Sequence, residues 1–362
     1  MSTSITSVER LVEYLQIAMQ LEHATIPPYL TALYSIHPQT NADARHVLRV
    51  VVVEEMLHLT LAANLMNAVG GSPDLRQAGF VPTYPTPLPD GEHDFEVSLQ
   101  CFSESALQTF LKIERPSMAG SEAKRRKARP RAGLGASPQD EELDFYSIGD
   151  FYEEIRRGFA YLYELRGPSL FSGDPRRQVT SEYYYSGGGE LMPVTCIDSA
   201  NAAIALISGQ GEGDGGGIYD KERELAHFYR FEQLVLGRFY QPGDEPHKPT
   251  GPECAVDWNA VYPTQTNPRV SQLCADAELH ETALAFNREY ADFLGLITDA
   301  YNGKPQLLME AVPKMFSLRN GANVLIRNPL PESAAGSQTA AVGHSGGPVH
   351  AAPTFEISQA GS

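Results

Sequence analysis

EEMLHLTLAANLMNAVGGSP, residues 54–73, decides how the rest of this chain is read. Glu55 and His58 stand three apart, so on a helix they leave the same face one turn from each other. That face continues through Val51, Ala62 and Leu65 at spacings of three and four, and Gly70-Gly71 stops it. A carboxylate and an imidazole on an apolar stripe cost several kcal/mol to bury unless something pairs them. The spacing therefore predicts a helix over 41–69, entered through Asn41, that carries two groups in need of a partner.

Upstream, Leu11, Leu15, Ala18, Glu22, Thr25 and Tyr29 recur at the same spacings and predict a helix over 8–36 with Ser7 as its N-cap. Glu22 shares the predicament of Glu55: it is an acid among apolar neighbours. Pro27 and Pro28 deny hydrogen bonds to the carbonyls of His23 and Ala24, beside Glu22, so the helix should kink or widen there. His23 points about 100° away from Glu22 around the helix and is read as a neighbour of the site or as exposed, not as a ligand. Only a few residues join the two helices, which predicts antiparallel packing.

Downstream, residues 72–140 break the helical pattern, with Pro82, Pro85, Pro87 and Pro89 in an irregular loop. FEVSLQCF (95–102) reads as a short strand and SESALQTFLKIE (103–114) as a short helix. Residues 117–140 read as a solvated loop around KRRKARPR (124–131). A third helix is expected over 143–166 and a fourth over 219–239. Between them lie expected strands at 178–185 and 191–196, a helix at 198–209, and Gln210-Gly211-Glu212-Gly213 as loop. Further helices are expected over 276–302 and 306–320, and a disordered tail over 331–362.

In the expected fourth helix, Glu224-Leu225-Ala226-His227 repeats the Glu-x-x-His spacing, beside Phe228, Phe231, Leu234 and Val235. Di-metal carboxylate bundles bury such groups with a Glu from each of two helices and a Glu-x-x-His from each of the other two. The order here fits: Glu22, then Glu55 and His58, then a third-helix acid, then Glu224 and His227. Four carboxylates carry a charge that two divalent ions cancel. SIGDFYEEIRRGF (147–159) offers Asp150, Glu153 and Glu154 as the third-helix acid. Glu153 falls in the middle of the polar face, so Glu154 is preferred and Asp150 follows. Tyr29 and Tyr161 are read as core aromatics that can also line a pocket.

A formal charge of −17 over 362 residues excludes a nucleic-acid binder, whose partner's phosphates would be repelled. Cys101, Cys196, Cys254 and Cys274 form no C-x-x-C pair, which predicts free thiols in a reducing cytoplasm and no zinc or redox motif. MSTSITSVERLVEYL lacks a basic segment followed by an apolar one, so no secretory signal is read there. No uncharged apolar run of about 18 residues exists to span a membrane.

LEHATIPPYLTALYSI (21–36), EEMLHLTLAANLMNAVGGSP (54–73), SIGDFYEEI (147–155), QGEG (210–213) and ELAHFYRFEQL (224–234) together resemble a known family. It is the ferritin-like domain found in iminophenylpyruvate dimer synthases of the violacein and rebeccamycin type. The resemblance runs from about residue 8 to about 330. It implies a mainly α, ferritin-like four-helix bundle with additional helices and small β-containing insertions at 72–145 and 167–218. It also implies metal ligation by Glu22, Glu55, His58, Glu224 and His227, and oxidation of amino-acid-derived intermediates in secondary metabolism. The chain lacks the length of synthases that carry a second domain. Asp150 stands where the family usually has Glu.

The leading expectation is therefore an oxidase or oxygenase that uses O₂ and two metal ions, iron before manganese, on a small molecule beneath the two insertions. Its alternatives are iron handling or peroxide defence on the same ligands, and a metal-stapled bundle without catalysis. A homo-oligomer is compatible with each.

Overall fold

The computed structural model describes residues 3–89, 94–117, 124–127, 141–185, 187–330 and 348–357; of 124–127 and 141–144 only the backbone is described. Helix α1 (Val8–Ser35) and helix α2 (Ala42–Ala68) form a closely packed hairpin. Ser7 caps α1 by accepting from the Arg10 N–H. Asn41 precedes α2 in a left-handed conformation (φ 45°) and makes no cap bond; its side chain pairs with the backbone of Asp257 instead.

α1 runs through both prolines. Pro28 has no N–H for the Ala24 carbonyl, and the Tyr84 hydroxyl donates to that oxygen at 2.8 Å in its place. Thr25 Oγ1 donates to the Glu22 carbonyl and Thr31 Oγ1 to that of Pro27. The helix beside Glu22 is thus re-satisfied by side chains.

Helix α3 (Glu104–Ile113) follows, capped by Ser103. Strands β1 (Lys124–Lys127) and β2 (Glu141–Asp144) then pair antiparallel. KRRK of the basic cluster is therefore strand in its backbone, while 118–123 and 128–140 lie outside the described residues. Helix α4 (Ile148–Arg166) and helix α5 (Ile197–Glu212) pack on each other, α4 on α1 and α5 on α2, closing a ring of four. α5 thus takes the place expected of a helix over 219–239. Helix α6 (His227–Leu236) is short and packs against α3, α5 and α2. Helices α7 (Ala277–Tyr301) and α8 (Leu307–Arg327) pair with each other and lean on α2 and α1.

Three expected strands are absent among the described residues, because their backbone groups find side chains. Asn64 of α2 accepts from Val179 N and donates to the carbonyls of Val179 and Met192. Gln178 accepts from Val194 N. In 95–102 a single bridge joins Val97 to Thr86, and Leu99 exchanges bonds with Asn267. Part of the expected tail is also packed. Phe355 is buried with ring centroids 5.1 Å from both Phe286 and Tyr290, and Ala351 N bonds to the Asn328 carbonyl. Residues 331–347 and 358–362 lie outside the described residues. No described helix is long and apolar enough to cross a membrane.

Candidate metal centre

Two groups of three side chains converge in the interior: Glu22, Glu55 and His58, and Glu55, Glu114 and His227. Within each group the nearest donor atoms lie inside 4.8 Å of one another, and Glu55 belongs to both. α1 supplies Glu22 and α2 supplies Glu55 and His58. Glu114 is the C-cap residue of α3, and His227 is the first residue of α6. All five are at most 4% exposed.

The distances describe a nearly symmetric arrangement. His58 Nδ1 is 3.5 Å from Glu22 Oε2 and 3.8 Å from Glu55 Oε1. His227 Nδ1 is 3.0 Å from the same Glu55 oxygen and 3.4 Å from Glu114 Oε2. The two imidazoles face each other with centroids 5.5 Å apart and planes at 24°.

Each ligand-type side chain is held from behind. His58 Nε2 meets Gln210 Oε1 at 2.8 Å, and Gln210 donates its amide to the Gly188 carbonyl. His227 Nε2 meets Glu54 Oε2 at 2.8 Å. Both partners can only accept there, so both imidazoles donate from Nε2 and turn Nδ1 toward the carboxylates. Tyr152 donates to Glu22 Oε1 and Tyr29 to Glu114 Oε1, each at 2.5 Å. Thr25 donates to Glu55 Oε2 at 2.9 Å. One carboxylate oxygen of each acid is thereby occupied, leaving the other to face the imidazoles.

The electrostatics follow from this crowding. Burial raises the pKa of Glu55, and the charges of Glu114 and Glu22 raise it further. Burial opposes charge on His227, but Glu114, Glu54 and Glu55 overcome it and hold the imidazole well above its ordinary range. His58 is raised in the same way, its burial outweighed by Glu22 and Glu55. Burial acts the other way on Glu54, yet His227 and then Arg230 keep that carboxyl low. Tyr29 and Tyr152 are pushed well above the phenol range, by burial first and then by the acids they bond, so both stay protonated donors.

His227 Nδ1 has no hydrogen-bond partner although two carboxylate oxygens lie beside it. The raised pKa puts a proton on that nitrogen, so the acids already draw positive charge to the place where a metal ion could sit instead. Three acids and two Nδ1 atoms, converging in oxygen- and nitrogen-rich triads, fit two divalent ions that share Glu55.

The sequence-predicted residues divide. Glu22, Glu55, His58 and His227 are brought together. Glu224 is not: its side chain is 68% exposed and it pairs with Arg230 outside the site. The chain from 213 to 226 turns back on itself, with Tyr219 bridged to Leu225 and Arg223 at φ 63°, so no helix precedes His227 to align Glu224 with it. Glu154 is buried but points elsewhere. Its Oε1 accepts from Ser4 N, Ser4 Oγ and Thr3 Oγ1, which pins the chain start to α4. Asp150 stands half-buried in the first turn of α4 and joins neither triad. Tyr161 is partly buried and packs against the core, and it is not among the residues that line the crevice over the triads. His23 is buried, bonded to Tyr290 at 2.6 Å.

Glu114 was missed, although Leu107, Phe110 and Glu114 carry the signal that marked Glu22: an acid at the end of an apolar stripe. Gln210 and Glu54 were missed as well. Gln210 hid among glycines read as loop, and Glu54 in the shadow of its neighbour.

The ferritin-like family profile matches residues 15–236, well over half of the chain and every residue of both triads. The chain belongs to the ferritin-like family. Among curated proteins it is 26% identical over 296 residues to dichlorochromopyrrolate synthase of Lentzea aerocolonigenes, an alignment covering 74% of this chain and 26% of that protein. It is 25% identical over 269 residues to 2-imino-3-(indol-3-yl)propanoate dimerase of Chromobacterium violaceum, covering 64% of this chain and 23% of that one. This ferritin-like chain thus spans about a quarter of the length of the two enzymes it matches. A solved ferritin-like protein from Caulobacter vibrioides superposes with a TM-score of 0.60 at 23% identity, over 88% of this chain and 94% of that one, a likeness of fold.

Proposed function

We propose that this ferritin-like protein is an enzyme that binds two metal ions, iron before manganese, between Glu22, Glu55, His58, Glu114 and His227. With them it oxidises a small, amino-acid-derived molecule at the expense of O₂. The observation that carries the reading is the pair of buried triads sharing Glu55, with His227 Nδ1 left unpartnered against two carboxylates. Redox-active ions held there would supply the electrons for reducing O₂.

The chain's own residues account for the rest. Gln210 and Glu54 hold the imidazoles in the tautomer that frees Nδ1. Tyr152, Tyr29 and Thr25 fix the acids without taking the oxygens that face inward. A narrow open crevice reaches the triads between Ile113, Ile148, Ile207 and Ser208. A second shares Ile113 and Ile148 with it and is lined by Leu21, Phe95, Phe145 and Phe151. Apolar walls over a charged floor suit a small organic molecule whose reacting end approaches the triads along the crevice. A protein that oxidised only iron would need no such walls. The names of the two curated relatives, a synthase and a dimerase, support biosynthetic chemistry.

The test is oxygen uptake by the ferrous-loaded protein with aromatic amino acids and their 2-imino acids. Uptake accelerated by one of these supports the proposal. Uptake that tracks added iron alone supports iron handling or peroxide defence, and metal binding without uptake supports a structural staple.

A further inference from the structure

Glu212, the last residue of α5, holds three segments of the crevice wall at once. Its Oε1 accepts from Gly149 N at 2.8 Å, at the start of α4. Its Oε2 accepts from Ser117 N at 2.9 Å and Ser117 Oγ at 2.7 Å, three residues beyond Glu114. Ser117 Oγ also meets Ser147 Oγ at 2.8 Å. The approach is tight: a Cβ on Gly149 would lie 2.3 Å from Glu212 Oε1, so any larger residue there would displace this carboxylate. Glu212 lines the same crevice as Glu22, Glu55, His58 and Glu114. Among the described residues it has no Lys or Arg partner, so backbone and hydroxyl donors alone offset the cost of holding a carboxylate there.

Glu114 needs such support more than the other acids. Glu22 and Glu55 sit mid-helix, where the backbone fixes them. Glu114 is the residue at which α3 ends, so its placement depends on how 115–117 leave the helix.

We propose that Glu212 is a positioning residue for the metal centre. Through Ser117 it holds the chain after α3 so that Glu114 reaches the Glu55–His227 group, and through Gly149 it sets α4 against the same crevice. This inference rests on the metal reading above. It assigns Glu212 an unequal effect: the Glu55–Glu114–His227 group depends on it strongly, and the Glu22–Glu55–His58 group only weakly, through Tyr152 of α4.

The experiment titrates metal-stripped, full-length protein with Co²⁺ against a competing chelator, anaerobically, and reads two binding steps and the Co²⁺ absorption bands. Glu212→Gln keeps the volume but places an amide N–H against either the Gly149 or the Ser117 N–H. It is expected to weaken one step by about 10–100-fold and to leave the other within about threefold. Ser117→Ala, which keeps the backbone bond to Glu212, shifts the same step by less and guards against misfolding of the first variant. Glu154→Gln breaks a carboxylate staple that is more deeply buried and outside both triads, and leaves both steps unchanged. Two unchanged steps in Glu212→Gln overturn the inference, as does parallel weakening of both steps in Glu212→Gln and Glu154→Gln. Wild-type protein that binds no pair of ions overturns the metal reading itself, which separates the two failures.

Discussion

Replacing Glu54 with Gln removes the charge behind His227 and preserves its volume. In the native site Glu54 Oε2 lies 2.8 Å from His227 Nε2, and Oε1 lies 3.7 Å from Arg230 Nη2. The carboxylate can only accept, which fixes a proton on Nε2 and leaves Nδ1 as the nitrogen that faces the acids and can bind a metal ion once it gives up its own proton. A glutamine oxygen can still accept, but a neutral acceptor bonds about half as strongly as a charged one. Loss of a partner behind a metal-binding imidazole costs about 10–100-fold in affinity, or about 1.4–2.7 kcal/mol. The amide oxygen that remains puts Glu54→Gln near the lower end, and Glu54→Ala belongs near the upper. Chelator competition on metal-stripped protein measures this directly. With metal held far above Kd, a tenfold loss should also lower the stability of the loaded protein by about 1.4 kcal/mol. Affinity in Glu54→Gln within about threefold of wild type would refute the idea that the charge of Glu54 strengthens His227 as a ligand.

Further outcomes follow from single contacts. Thr25→Val removes the hydroxyl that bonds both Glu55 Oε2 and the Glu22 carbonyl, and should destabilise the metal-free protein by about 1 kcal/mol in urea titration. Gly149→Ala drives a methyl into Glu212 and should cost about 1–3 kcal/mol by the same assay. Phe355→Ala empties the contact with Phe286 and Tyr290 and should cost about 3 kcal/mol; a change below about 0.5 kcal/mol would mean that residues 348–357 do not belong to the folded body. Glu224→Ala, at an exposed ion pair, should leave metal content unchanged by elemental analysis.

The first two helices and three of the five triad residues they carry were legible because Glu22, Glu55 and His58 interrupt long apolar stripes, and burial there has a stated cost. His227 was legible for its apolar neighbours, but the same argument misassigned Glu224. Helical spacing was assumed for 219–226, where the left-handed Arg223 and the Tyr219–Leu225 bridge set the backbone instead. Glu154 was rightly read as turned inward, yet inward on α4 means the chain start at Ser4, because spacing around one helix does not say which neighbour a face meets. Glycines at 211 and 213 argued for loop after residue 209, but α5 continues through Gly211 to Glu212 and so carries Gln210 and Glu212 to the site. The expected strands failed for a related reason: Asn64 and Gln178 took their backbone bonds across the fold.

The central claim is that two ions sit between these five side chains and share Glu55. Elemental analysis of the protein reconstituted with Fe²⁺ under anaerobic conditions, beside its Glu55→Ala variant, tests it most directly. Two ions per wild-type chain, with the variant losing both metal and thermal stability, is the expected result. Equal metal content in the two proteins, or none in the wild type, would contradict it.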